Sequence, residues 1–276
     1  MSQTASVVAP PAANEPILLQ RVVDGIATLT LNRPAARNAL SMALMSELID
    51  ALAALESDPA VKVVVIAAAG PAFCAGHDLK ELTAHRADAD GGRAFTQLLM
   101  HQCAKLMRSI VQCPKPVIAA VEGAATAAGC QLVATCDLAV ASEAAAFATP
   151  GVNIGLFCST PMVALVRNVS RKRAMEMLLL GEMLPAREAA EYGLVNRVVP
   201  PGKALHEAMQ LAGIIATKPP VTLAIGKEAF YKQIEMSLAD AYDYAAGVMV
   251  ENMMHAESKE GIGAFIDKRP PDWDKA

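Results

Sequence analysis

From Ile17 to Leu31 apolar and polar positions alternate around a break at Asp24-Gly25, which predicts two β-strands joined by a tight turn. Asn32-Arg33-Pro34 ends that hairpin. Ser41 then stands as a candidate N-cap before a run of helical period from Met42 to Leu55, and Val61 to Ala68 is a continuous apolar stretch suited to a strand covered on both faces. Further along, the pattern predicts a helix from Gly92 to Val111, a strand from Pro116 to Val121, a short helix from Ala128 and a strand from Leu138 to Ser142. Val195 to Val199 is the last strand signal. Helical period follows over Ala204 to Ala216, Val221 to Gln233, Ala239 to Glu257 and Lys259 to Lys268. Strands alternating with helices imply an α/β fold with a covered parallel sheet. The expected organisation is a leader (1–16), a core (17–200) and a helical region (201–276), with no internal repeat.

Length and charge narrow the function. A chain of 276 residues can bury a large core without staples. Its net charge of −4, from 24 basic and 28 acidic residues, argues against a general binder of nucleic acid or anionic membrane. The six cysteines, Cys74, Cys103, Cys113, Cys130, Cys136 and Cys158, show no metal-ligand spacing, so they are expected to be reduced core residues with no metal site. No apolar stretch is long enough for a membrane span. The first sixteen residues hold no Lys or Arg and no long apolar block. They are taken as a leader without fixed structure, and the protein as cytoplasmic.

Candidate chemistry gathers in two segments, AFCAGHDLKEL (Ala72 to Leu82) and EGAATAAGCQL (Glu122 to Leu132). Together with NRPAARNAL (Asn32 to Leu40) and the terminal EGIGAFIDKRPPDW (Glu260 to Trp273), they resemble the crotonase, or enoyl-CoA hydratase/isomerase, superfamily in order and spacing. GHDLKEL, TAAGCQL and FATPGVNIGLFCSTP (Phe147 to Pro161) resemble in particular the subgroup of enoyl-CoA hydratase domain-containing protein 3. The resemblance implies a crotonase-like spiral of ββα repeats, a C-terminal helical trimerisation region, homotrimers or hexamers, and an acyl-CoA thioester as ligand. Coenzyme A enters as part of the substrate, and no permanently bound cofactor is implied.

By the same resemblance, the backbone N–H groups of His77 and Ala128 form an oxyanion hole, with Gly76 relaxing the first turn and a helix dipole supporting the second. Alanine can replace the glycine of many relatives at Ala128 if its φ is negative. The His77 imidazole is either a titrating group or a bystander to its own amide, and Asp78 is either a base or, by the family pattern, structural. Arg37, Ala39, Ala75, Asp78, Leu79 and Lys80 match positions that cradle coenzyme A, Lys80 reaching phosphate or simply solvent. Phe265 and Lys268 resemble a lid over the nucleotide. Asn153 and Cys158 fall on a segment lining the acyl pocket, with Cys158 either a nucleophile or a buried thiol. Few aromatics, 4% of the chain, suggest a plain aliphatic pocket.

The two glutamates used by hydratases of this superfamily fall on Gln131 and Gly151. Neither can move a proton. Because general acid–base catalysis is worth roughly 10²–10⁴ in rate, the departure speaks against ordinary hydration. If only side chains are missing, glutamates at 131 and 151 should raise it. Three functions stay open: enolate stabilisation on a thioester needing little acid–base help, non-catalytic acyl-CoA binding, or weak enoyl-CoA hydration. Decarboxylation is one form of the first, since methylmalonyl-CoA decarboxylase shares the AGHD segment and the Val152 to Gly155 pattern, although its tyrosine falls on Cys158.

Overall fold

The computed structural model describes residues 15–273, so nearly all of the expected leader (1–14 of 1–16) lies outside the described residues. β1 (Leu18–Val23) and β2 (Ile26–Leu31) pair antiparallel around Asp24 and Gly25, whose φ values of 51° and 76° suit the mirror-image hairpin turn. α1 (Met42–Ser57) starts where Ser41 Oγ accepts the Leu44 N–H at 3.2 Å. The chain then runs through β3 (Val63–Ala68), β4 (Ala72–Cys74), α2 (Leu79–Ala84), α3 (Arg93–Gln112), β5 (Val117–Val121), β6 (Ala124–Thr126) and α4 (Ala128–Thr135). It continues as β7 (Leu138–Ser142), β8 (Ala146–Ala148), a 3-10 turn (Pro150–Ile154), α5 (Pro161–Leu165), α6 (Arg171–Leu180), β9 (Leu184–Pro185), α7 (Ala186–Glu191) and β10 (Arg197–Val199). Four helices close it: α8 (Ala204–Ala216), α9 (Pro220–Gln233), α10 (Leu238–Met254) and α11 (Ala256–Ile266).

Two sheets result, one ordered β1-β2-β3-β5-β7-β10 and a smaller one ordered β4-β6-β8-β9. Each step, β3-β4, β5-β6 and β7-β8, adds a strand to the large sheet and then a strand to the small one. This repeated step is the spiral of ββα repeats that the resemblance implied, with no repeat visible in the sequence itself. The large sheet is covered on both sides, which is why β3 is apolar throughout. Val63 and Val65 of β3, with Ile118 and Ala120 of β5, face Ala204, Ala208 and Ala212 of α8. Val64 and Ile66 face the main core, where Leu44, Leu48 and Leu52 of α1 meet Leu99, Cys103 and Leu106 of α3.

The last helices are fixed by buried charge. Lys227 Nζ reaches Asp137 Oδ2 at 2.7 Å and the carbonyls of Ile110 and Lys115 at 3.0 Å, while Tyr231 Oη donates to Asp137 Oδ1 at 2.9 Å. Glu257, expected at the end of the preceding helix, instead lies in the first turn of α11. Its buried carboxylate accepts the Val221 and Thr222 N–H groups and so caps α9. Lys268, expected within the terminal helix, lies beyond its end with φ 53°. Among the described residues no single helix is long and apolar enough to cross a membrane.

Candidate active site

β4, β6 and β8 are neighbours in the small sheet and run parallel, so residues 75–78, 127–128 and 149–151 leave it at the same end. Gly76 brings the first two segments together. Its φ is +98°, and a Cβ there would stand 2.9 Å from Ala127 Cβ and 3.5 Å from Ala128 N. α4 also approaches β4 closely, since a Cβ on Gly129 would stand 2.1 Å from Cys74 O. Neither the His77 nor the Ala128 N–H donates a hydrogen bond within the described residues. Ala128 opens α4, where N–H groups are unpaired and the helix dipole is positive. The left-handed strain falls one residue earlier, on Ala127, at φ 50° and ψ −118°. Ala128 is not among the residues of positive φ, as the sequence required.

The Asn32 to Leu40 loop is stitched to the first donor segment. Ala75 N–H donates to Arg37 O at 3.0 Å, Leu40 N–H to Gly76 O at 2.8 Å, and Asp78 N–H to Leu40 O at 3.1 Å. Arg37, Ala39, Ala75, His77 and Asp78 are thereby brought together. Sequence reasoning missed what holds this loop. Asn38, fully buried, donates through Nδ2 to Ala69 O and Ala72 O at 2.8 Å and accepts the Arg33 N–H through Oδ1. Arg33 also spans to Asp78 Oδ2 at 2.9 Å. The same carboxylate caps α2 by accepting the Lys80 and Glu81 N–H groups. Burial alone raises the Asp78 pKa, but Arg33 and these N–H groups outweigh it and hold the group below its usual value. Asp78 is occupied as structure rather than free as a base. Leu79 and Lys80 are exposed, and the Lys80 ammonium has no partner among the described residues.

The carboxylate of the second segment is also spoken for. Glu122 accepts the Gly202 and Ala204 N–H groups and so starts α8. Gln131 is 5% exposed, and its Oε1 accepts from the Cys103 thiol at 3.8 Å. Burial lowers the His77 pKa to about 4, leaving a neutral imidazole at neutral pH, and its Nε2 is buried without a partner. Thr149 Oγ1 is the other buried side-chain atom left unpaired among the described residues.

Around Gly151 the chain folds on itself. Leu156 N–H donates to Gly151 O at 2.9 Å, and a Cβ on Gly151 would stand 2.6 Å from Leu156 O and 2.9 Å from Cys158 Sγ. The place of a side chain is filled. Burial raises the Cys158 thiol pKa, and all six cysteines are free and buried. Asn153, expected in the acyl pocket, is exposed and turns its Nδ2 to Gly181 O at 3.3 Å. Gly181 holds the left-handed conformation that ends α6. Phe265 is 85% exposed on α11, which packs against α9 and α10. An open groove of about 830 Å³ lies at the amino ends of β3 and β5 against α9, lined by Lys62, Pro114, Pro116, Val221 and Tyr231 among others, and includes none of the expected site residues.

The sequence model of the enoyl-CoA hydratase/isomerase family matches residues 21–276. The chain belongs to the enoyl-CoA hydratase/isomerase family. Among its relatives is the mitochondrial enoyl-CoA hydratase domain-containing protein 3 of Rattus norvegicus, 47% identical over 264 residues that cover 95% of this chain and 86% of the relative. A crystal structure of an enoyl-CoA hydratase from Mycobacterium smegmatis superposes with a TM-score of 0.89 at 50% identity, covering 94% of this chain and all of that one. The crystal structure of human enoyl-CoA hydratase domain-containing protein 3 gives the same TM-score at 45% identity and the same coverage.

These likenesses bear out the superfamily, the subgroup and the crotonase-like fold. They overturn one expectation. The rat, mouse, human and Xenopus relatives of this enoyl-CoA hydratase/isomerase family member are named mitochondrial, against the cytoplasmic placement inferred from the composition of its first sixteen residues.

Proposed function

We propose that the chain binds an acyl-CoA thioester and stabilises negative charge on the thioester oxygen with the His77 and Ala128 N–H groups, without the carboxylate pair of hydratases. The observation that carries this reading is the apposition of two undirected N–H groups across Gly76. Each such donor is worth roughly 3–4 kcal/mol of transition-state stabilisation by analogy with single-donor deletions. An enolate formed by loss of a group from the α-carbon needs no proton abstraction by the protein, so the reaction class this site serves best is one in which the substrate itself releases the electron pair.

Arg37, Ala39, Ala75, Leu79 and Lys80 carry the coenzyme A moiety in this proposal, with Asp78 holding the loop through Arg33. Phe265 and Lys268 serve the nucleotide from a neighbouring subunit of a homotrimer or hexamer, which gives the exposed ring of Phe265 a partner. Cys158 lines the acyl side as a packing group. Non-catalytic binding is the second reading, favoured by the filled position at Gly151.

A substrate panel separates the two. The full chain is incubated with crotonyl-CoA, malonyl-CoA and methylmalonyl-CoA while enoyl absorbance and product masses are followed. Decarboxylation without crotonyl-CoA turnover supports the first reading, and binding of thioesters without turnover supports the second. Crotonyl-CoA hydration at the rate of a two-glutamate hydratase would sink both.

A further inference from the structure

We propose that Arg33 is a positioning residue of the oxyanion hole: its guanidinium braces the Leu40 and His77 backbones side by side and so aims the His77 N–H at the thioester oxygen. The proposal rests on the reading of His77 and Ala128 as oxyanion donors and names what sets the direction of the first.

Among the described residues nothing accepts the His77 N–H, so its direction comes from its neighbours. Leu40 and His77 form a parallel bridge, in which Leu40 N–H donates to Gly76 O and Leu40 O accepts the Asp78 N–H. In such a bridge the pairing groups belong to the residues on either side, and the N–H of the bridged residue itself points the other way. On the edge of β4 away from this loop lie β6 and the turn at Ala127 and Ala128, where a Cβ on Gly76 would stand 3.5 Å from Ala128 N. The His77 N–H is therefore turned from the loop toward the second donor.

One guanidinium holds both members of the bridge. Arg33 Nη1 donates to Ala39 O at 2.5 Å, next to Leu40, and Nη2 donates to Asp78 Oδ2 at 2.9 Å, next to His77. Because the guanidinium is planar and its two amino groups are rigidly spaced, these bonds fix the separation of the two backbones as well as joining them. Lysine offers a single ammonium on a flexible stem and does not reproduce that spacing. The Arg33 and Asp78 side chains are 22% and 14% exposed, so solvent and salt screen the pair little. Arg37 and Lys80, by contrast, are exposed cations available to the anionic part of a ligand.

Other ties keep the loop folded when Arg33 is changed. Asn38 binds the Ala69 and Ala72 carbonyls, and Glu81 Oε2 accepts the Met42 N–H at 3.0 Å, which joins α2 to α1. Loss of the fork is expected to loosen the aim of one N–H rather than to unfold the chain.

Infrared difference spectra of butyryl-CoA, isotope-labelled at the thioester carbonyl and bound to the full chain, test this. Hydrogen bonds from the hole lower the carbonyl stretching frequency. Arg33→Lys and Arg33→Met are expected to lose about half of the lowering seen in the wild type, as fits the loss of one donor of the pair. Butyryl-CoA is expected to bind about two- to tenfold more weakly to them, the worth of a single neutral hydrogen bond, while free coenzyme A binds as before. Lys227→Met, which loosens α9 instead, is expected to keep the full lowering. The proposal is overturned if the folded Arg33 variants keep the wild-type frequency, if Lys227→Met loses as much, if coenzyme A affinity falls in step with that of butyryl-CoA, or if neither Arg33 variant folds. A wild-type complex without any lowering marks the loss of the oxyanion-hole reading itself, and this proposal falls with it.

Discussion

Cys158 Sγ stands 2.9 Å from the point to which a Cβ on Gly151 would project, and Leu156 O stands 2.6 Å from the same point. The missing carboxylate has left no vacancy, because the chain's own backbone fills it. Glutamates at 131 and 151 were expected from the sequence to raise hydration. The geometry reverses that expectation. Gly151→Glu must move the Leu156 carbonyl, at a cost of ~1–3 kcal/mol for overpacking. The double variant Gln131→Glu with Gly151→Glu is expected to melt lower than the wild type and to show no gain in crotonyl-CoA hydration, read by enoyl absorbance.

His77 links stability to pH. Its folded pKa of about 4 lies below the ordinary 6.5, so between those values the unfolded chain binds a proton that the folded chain does not. Stability therefore rises with pH across that window, by up to about 3 kcal/mol from this group. Urea unfolding between pH 4 and 7 should show the slope, and His77→Ala, which keeps the amide, should flatten it. A wild-type slope preserved in His77→Ala would assign the effect elsewhere.

Ala127 holds φ 50° and ψ −118°, a conformation natural to glycine. Such strain costs of order 1–3 kcal/mol, against ~0.4–1 kcal/mol lost by loosening the unfolded chain with glycine. Ala127→Gly is expected to gain about 1 kcal/mol, or ~2–4 °C in Tm for a domain of this size. Differential scanning calorimetry at one pH and concentration checks it.

Gly129 carries the opposite sign. A Cβ there would meet Cys74 O at 2.1 Å, so Gly129→Ala must part α4 from β4 and separate the two donor segments. Stability should fall by ~1–3 kcal/mol or more. Butyryl-CoA affinity should fall with it, measured by calorimetric titration. A variant that melts lower but binds normally would show that the donors do not depend on this contact.

Lys227 and Asp137 form the most buried ion pair, with side chains 7% and 17% exposed. Lys227→Met removes the cation while Asp137 keeps the Val117 N–H and Tyr231 Oη. Breaking a buried pair from one side costs about 3–5 kcal/mol, so these residual bonds should hold the loss near the lower figure. Urea unfolding measures it. Hydrogen exchange should rise first in α9, which the pair anchors.

Long periodic elements were legible in the chain. The hairpin, α1, α3, β5, β7 and α8 were predicted to within about two residues of their ends, because burial on one stripe or on both faces writes a period over many residues. The small sheet was not. β4, β6 and β8 have three residues each, AFC, AAT and AFA, too short and too small in side chain to show alternation. Yet β4 and β6 lead directly into the segments that carry the proposed donors, His77 and Ala128. α5, α6 and α7 also escaped, being five to ten residues long.

At the site, Gly76 and the two segments around it were visible as motif, but the tie from Arg33 to Asp78 crosses 45 positions and leaves no local signal. The filling of the Gly151 position by the Leu156 carbonyl is a backbone event that no side-chain pattern encodes. Asn38 was passed over because an asparagine in a loop motif looks like a turn residue, whereas here it is a fully buried cross-link.

The adjacency of β4 and β6 has a trigonometric consequence. Parallel neighbours lie about 4.8 Å apart, and an N–H···O bond spans about 2.9 Å between heavy atoms, so two donors one strand spacing apart subtend an angle near 110° at a shared oxygen. That is the angle a tetrahedral oxygen presents. A spiral that advances by one strand per turn thus carries, in its own pitch, the spacing that the proposed pair of donors calls for.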